Sequence, residues 1–118
     1  MTRVIELVLE VSDLERAEAF YTEVLGLPVV ERWPSRDASW VLAGETRIGL
    51  WRPQVGLAGG RGGTHVHYAM HIDERDYDAA VARLRERGYE PEEHPFTRYE
   101  NSRAAFVTDP DGKMATLN

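Results

Sequence analysis

The chain contains no cysteine, so a disulfide framework, a thiolate metal site and a cysteine nucleophile are all excluded. It also lacks any apolar run approaching the roughly 18 residues that a membrane-spanning helix needs. Met1-Thr2-Arg3 leads directly into a strand-like pattern carrying Glu6 and Glu10, with no signal-peptide core. No membrane partner and a cytoplasmic location are therefore the expectations. Basic charge is scarce as well: 14 Lys and Arg stand against 20 Asp and Glu, leaving a net charge of −6. That is the wrong sign for a nucleic-acid partner, which calls for a basic face. The nearest basic cluster, Arg83, Arg85 and Arg87, is interleaved with Glu86 and reads as a solvated helix face.

What remains is a chain of 118 residues, 42% hydrophobic and 29% charged, the composition of one ordinary globular domain. Its order of elements repeats. In the first half, Ile5, Leu7, Leu9 and Val11 alternate with Val4, Glu6, Val8 and Glu10, the period of a strand with one apolar and one mixed face. Ser12 and Glu15 have the spacing of a capping box. Leu14, Ala17, Phe20, Tyr21, Val24 and Leu25 then follow at helical spacing, and Gly26 stands where a left-handed C-terminal cap is wanted. Strand-like runs come at 28–33, 39–43 and 46–51, the last two joined by a tight Gly44-Glu45 turn.

The second half repeats the scheme. A strand is expected over 65–72, with Val66, Tyr68, Met70 and Ile72 on one face and His65, His67, Ala69 and His71 on the other. Asp73 can cap a helix carrying Tyr77, Ala80, Val81 and Leu84 that stops at Gly88. Strands at 89–96, 102–108 and 113–117 close the chain, with Asp109-Pro110-Asp111-Gly112 as a turn. Val11 falls on Ile72 and Gly26 on Gly88, so the repeat lies in element order and caps rather than residue identity. Between the halves, Gly56, Gly59, Gly60, Gly62 and Gly63 lack the Lys-Ser/Thr of a phosphate loop and read as a flexible linker.

Two segments carry a resemblance. One is Val11-Ser12-Asp13-Leu14-Glu15-Arg16 leading into Ala19-Phe20-Tyr21 and Val24-Leu25-Gly26-Leu27. The other is Phe106-Val107-Thr108-Asp109-Pro110-Asp111-Gly112. With them in place on a doubled chain, the sequence resembles the vicinal oxygen chelate superfamily over essentially its whole length. That superfamily includes glyoxalases, extradiol dioxygenases, fosfomycin-resistance enzymes and bleomycin-binding proteins. The resemblance implies an α+β fold in which two tandem βαβββ modules form a curved mixed-sheet cup with the helices outside. It implies a single glyoxalase-like domain, with module 1 at about 1–52, the Gly-rich linker at 53–64 and module 2 at about 65–118. The inward faces are then Val4, Glu6 and Val8 on one strand and His65, His67 and Ala69 on its counterpart; a one-residue slip would invert this.

Metal-dependent relatives place four ligands on the first and last strands of the halves, and the resemblance carries these to Glu6, Gly49, His67 and Thr116. Two keep ligand chemistry. Gly49 has no side chain, and a Thr hydroxyl is a poor ligand beside a carboxylate. His65 offers a third donor: His-x-His on a strand sets two rings on one face, about 6.6 Å apart at the backbone. With Glu6 this gives two imidazoles and one carboxylate, a donor set for Zn, Mn, Fe or Ni. Without metal, Glu6 and His67 are the candidates for proton transfer, or for anchoring a guest.

The expected ligand-binding set is Glu6, Arg47, Gly49, Trp51, His67 and Thr116, with Gly49 leaving room for a planar guest against Trp51. Trp33 and Trp40 read as core or interface, His71 as a rim residue and His94 as a solvated edge. The function expected is a glyoxalase/bleomycin-resistance-like protein that binds a small molecule in its cup, with no cofactor. The alternative is a divalent-metal-dependent lyase, isomerase, dioxygenase or thiol transferase of the same superfamily. A homodimer is the expected assembly.

Overall fold

The computed structural model describes residues 1–52, 66–95 and 103–118. It divides into two compact units, 1–63 and 64–118, whose boundary falls in the Gly-rich segment. Both units have the same plan. In the first, β1 (Glu6–Glu10) leads to α1 (Leu14–Ala19), then to β2 (Val29–Trp33), β3 (Ala38–Ala43) and β4 (Thr46–Trp51). In the second, β5 (His67–Met70) leads to α2 (Glu74–Glu86), then to β6 (Glu92–His94), β7 (Ala104–Thr108) and β8 (Met114–Leu117). The sheets are ordered β1-β4-β3-β2 and β5-β8-β7-β6, with the first pair of each parallel and the other pairs antiparallel. This is the expected α+β architecture of two tandem βαβββ modules.

Local chemistry accounts for the element ends, with two corrections. The cap of α1 is Asp13, not Ser12: Asp13 has an extended backbone, and its carboxylate accepts the Arg16 N–H at 3.1 Å. The helix also does not run evenly to Gly26. From Phe20 to Val24 the turn widens, with Leu25 N–H donating to the Phe20 carbonyl at 3.0 Å, a five-residue span. Phe20, Tyr21 and Val24 all enter the core from this widened turn. Gly26 and Gly88 adopt left-handed φ values of 77° and 87° after their helices, as C-terminal caps require. At the 109–112 turn, the buried Asp109 carboxylate accepts from the Asp111 and Lys113 N–H groups at 2.9 and 2.8 Å.

Each sheet has a helix face and an opposite face, set by period-two alternation. In the first unit the helix face carries Leu9, Val41, Ile48 and Leu50, all buried. Ser39 belongs to the same face, since its hydroxyl donates to Glu18 of α1 at 2.6 Å. In the second unit Tyr77 and Val81 of α2 pack on Ala105, with Ile72 against them. Arg103 lies over the Tyr77 ring at 4.1 Å, and the Tyr77 hydroxyl donates to Glu93 at 3.1 Å, tying helix to sheet. The Gly-rich linker, His65, Phe96 and Ser102 lie outside the described residues.

Candidate functional site

On the face of the first sheet turned away from α1, the register brings together residues from all four strands. Glu6 pairs with Arg47, Val8 with Gly49 and Glu10 with Trp51 across β1 and β4. Arg47 pairs with Leu42, Gly49 with Trp40 and Trp51 with Ala38 across β4 and β3. Trp40 pairs with Glu31, and Ala38 with Trp33, across β3 and β2. Three indoles thereby converge in mutual edge-to-face contact. Ring centroids are 5.3 Å apart for Trp33–Trp40, 5.5 Å for Trp33–Trp51 and 6.0 Å for Trp40–Trp51.

Gly49 makes this cluster possible. A Cβ there would come 2.7 Å from Trp51 Nε1 and 2.9 Å from Trp40 Cζ3. The position expected to leave room beside Trp51 is instead filled by the two indoles, because only a hydrogen on Gly49 lets them close over the strand. Trp40, expected as core or interface, is 2% exposed and belongs with Trp51. The signal for it was present in the sequence. A two-residue Gly44-Glu45 turn pairs Ala43 with Thr46, and counting back places Trp40 opposite Gly49.

Polar groups frame the indoles. The Arg47 guanidinium lies 5.0 Å from the centre of the Trp40 ring and donates to Glu31 at 2.7 Å. Glu31 also accepts from Trp33 Nε1. These two hydrogen bonds, that of Arg47 the larger, hold the Glu31 carboxyl below the usual carboxylate range. On this face, three donors shut off from solvent make no hydrogen bond among the described residues: Trp40 Nε1, Trp51 Nε1 and Arg47 Nε. Glu6 is exposed, one strand away from Arg47.

In the second unit, His67 and Thr116 lie on the face opposite α2, and His67 Nε2 and Thr116 Oγ1 share a hydrogen bond of 2.8 Å. Phe106 lies beside both His67 and His94, at ring distances of 5.9 and 5.0 Å. His94 is half exposed on its edge strand and pairs with Glu92 at 3.2 Å. His71 bonds the Asn118 carbonyl at 3.1 Å and lies 3.7 Å from Asp73, a strand-end role.

The metal implied by the resemblance does not fit the described residues. Gly49 offers no donor and its space is taken by the indoles of Trp51 and Trp40. Thr116 is engaged with His67. Among the described residues no three His, Cys, Asp or Glu side chains converge, whereas Zn²⁺ and Fe²⁺ sites normally use at least three protein ligands. Glu6 and His67 stand on different units, and His65 lies outside the described residues.

Known structures with the same fold are numerous. A lactoylglutathione lyase from Agrobacterium tumefaciens is 23% identical with a TM-score of 0.77, the match covering 99% of this chain and 92% of that one. TnmS3, an antibiotic binding protein from Streptomyces sp. CB03234, is 28% identical with a TM-score of 0.74, covering 100% and 95%. A glyoxalase/bleomycin resistance protein from the same Streptomyces strain is 27% identical with a TM-score of 0.73, covering 98% and 99%. Among curated proteins, none matches. The profile of the glyoxalase/bleomycin resistance protein/dioxygenase superfamily matches residues 3–116. By that match, and by the tandem βαβββ plan of its two units, the chain belongs to the glyoxalase/bleomycin resistance protein/dioxygenase superfamily, the vicinal oxygen chelate proteins.

Proposed function

We propose that this protein binds a small planar molecule, in the manner of a drug-sequestering protein, without a complete metal site. The observation that carries the reading is the tryptophan cluster over Gly49. Of the three indoles gathered on the sheet face away from the helix, Trp33 and Trp51 are partly exposed and offer aromatic surface, Trp40 is buried against them, and Glu6, Glu31 and Arg47 give that face a polar frame. An antibiotic-binding protein at 28% identity over the whole chain adds support. Within the second unit, His67 and Thr116 act in this reading as a hydrogen-bonded polar pair rather than as metal ligands. The protein acts as a homodimer in the cytoplasm.

The test is a thermal-shift screen of planar small molecules, followed by titration of the hits against wild type, Trp51→Phe and Glu6→Gln, with metal analysis of protein purified without chelator. Hits should weaken roughly fivefold or more in Trp51→Phe, a loss of about 1 kcal/mol of aromatic contact. Transition metal should be below one equivalent. If one equivalent of Zn, Mn, Fe or Ni copurifies and disappears in Glu6→Gln or His67→Ala, the protein is a metalloenzyme of the superfamily and this reading is wrong.

A further inference from the structure

The indoles do more than provide surface, because two of their three nitrogens have no acceptor among the described residues. Trp40 is 2% exposed, yet among the described residues its Nε1 has no acceptor, and neither have Trp51 Nε1 or Arg47 Nε. A buried donor left unmade costs on the order of 1–3 kcal/mol, and here three occur together on the proposed binding face. Glu31, opposite Trp40 in strand register, takes hydrogen bonds from both Trp33 and Arg47 instead. The third indole, Trp33, is thus the satisfied member of the cluster. Charge adds a second constraint. One cation, Arg47, stands beside two carboxylates, Glu6 in strand register and Glu31 in direct contact, so the face does not favour a fully anionic guest. A cationic group could pair with Glu6 or Glu31, but as a donor it cannot accept from the indole and guanidinium N–H groups.

The geometry points to a guest that is a neutral planar ring bearing a carbonyl acceptor, which takes the hydrogen bonds that Trp40 Nε1, Trp51 Nε1 and Arg47 Nε lack. This rests on the binding reading above and names its ligand class. The nitrogens are enclosed while the indoles pack on one another, so the guest enters by turning an indole off the strand. Trp51 is the one placed to turn. It is only partly buried, it ends β4, and its Nε1 occupies the space that a Cβ on Gly49 would need. The carbonyl then arrives as the indole N–H becomes free to receive it.

Four naphthalenes of similar size separate the chemistries: 2-acetylnaphthalene, 2-ethylnaphthalene, 2-naphthoate and 2-(aminomethyl)naphthalene. They are titrated by calorimetry into the full chain and into Trp40→Phe and Trp51→Phe, which keep a ring and remove the N–H. The ketone should bind roughly tenfold tighter than its ethyl analogue, the worth of about one net hydrogen bond, and tighter than both charged probes. In either variant that preference should collapse toward unity while the ethyl compound's affinity changes less. If Trp40→Phe does not fold, Trp51→Phe decides the matter. Equal or tighter binding of the ethyl, carboxylate or ammonium probe, or a ketone preference that survives both substitutions, overturns the carbonyl assignment and leaves the binding face standing. No binding by any of the four overturns the binding reading itself.

Discussion

Gly49 is the residue whose chemistry the sequence makes easiest to misjudge. Its missing side chain suggests space, but two indoles use that space, at distances from an added Cβ that leave no room for a methyl group. Gly49→Ala should therefore displace Trp40 or Trp51 at a cost of about 1–3 kcal/mol, the range for overpacking. A lower urea midpoint together with red-shifted tryptophan emission would show it, and unchanged emission would refute it. Glu18 offers a second residue-scale test. Hydrogen bonds from Arg32, the larger effect, and from Ser39 hold its carboxyl below its ordinary value of 4.5 despite partial burial. A depressed carboxyl stabilises the fold above its ordinary pKa, and that stabilisation is lost as pH falls through the lowered value. Glu18→Gln should be less stable than wild type at neutral pH and should lose less stability on acidification. Urea midpoints at neutral pH and at about pH 3 measure both, and parallel losses would show that Glu18 is not responsible. Glu31 and Glu93 are depressed in the same way, so some acid sensitivity should persist.

At the scale of elements, the second unit shows how a helix is fastened to its sheet. Tyr77 of α2 is buried, with Arg103 over its ring and Glu93 of β6 accepting from its hydroxyl. Burial first, and then the bond to Glu93, push the Tyr77 hydroxyl up to about 12. The sign follows from the neutral form being favoured in the folded state. The stabilisation is complete below the ordinary tyrosine value of 10.0 and is lost as pH rises toward about 12. Tyr77→Phe keeps the ring and the cation–π contact but removes the hydrogen bond. It should cost about 1 kcal/mol at neutral pH and should flatten the alkaline loss of stability relative to wild type. Denaturation monitored across that range by circular dichroism decides it, and an identical alkaline limb in the variant would count against the assignment.

For the whole molecule, the exposed apolar side chains bear on assembly. Val4, Ile5 and Val8 are 65%, 61% and 47% exposed, and they lie on or just before β1, at one end of the sheet order. An exposed apolar stretch at the end of a sheet invites a partner. A homodimer that covers this edge is the expected outcome, and light scattering at micromolar concentration should report about twice 13.4 kDa. A single species at 13.4 kDa would contradict it. Ile5→Lys should shift the population toward monomer, since a charge at a covered apolar position is costly to desolvate.

The local features of this chain were legible because they depend on neighbouring residues alone. Period-two runs became strands, Gly26, Gly88 and Gly112 took the left-handed backbone that turns and caps require, and the Gly44-Glu45 turn carried the β3–β4 register with it. The repeated order of elements followed, and with it the fold and the family. The cap at Asp13 and the widened turn after α1 were not legible, because Ser12 and Asp13 are equally good caps in isolation and the core chose between continuations of the helix. The tryptophan cluster lay further out of reach. Its third member, Trp33, arrives through an irregular β2–β3 pairing near Val29 and Glu31 and a left-handed Asp37 that ends the 34–36 turn. Which indole nitrogens find an acceptor is settled only when all the rings are packed. Backbone direction is written residue by residue in the sequence. The convergence of side chains from four strands, and the donors it leaves unpaired, is a property of packing, which only the tertiary structure decides.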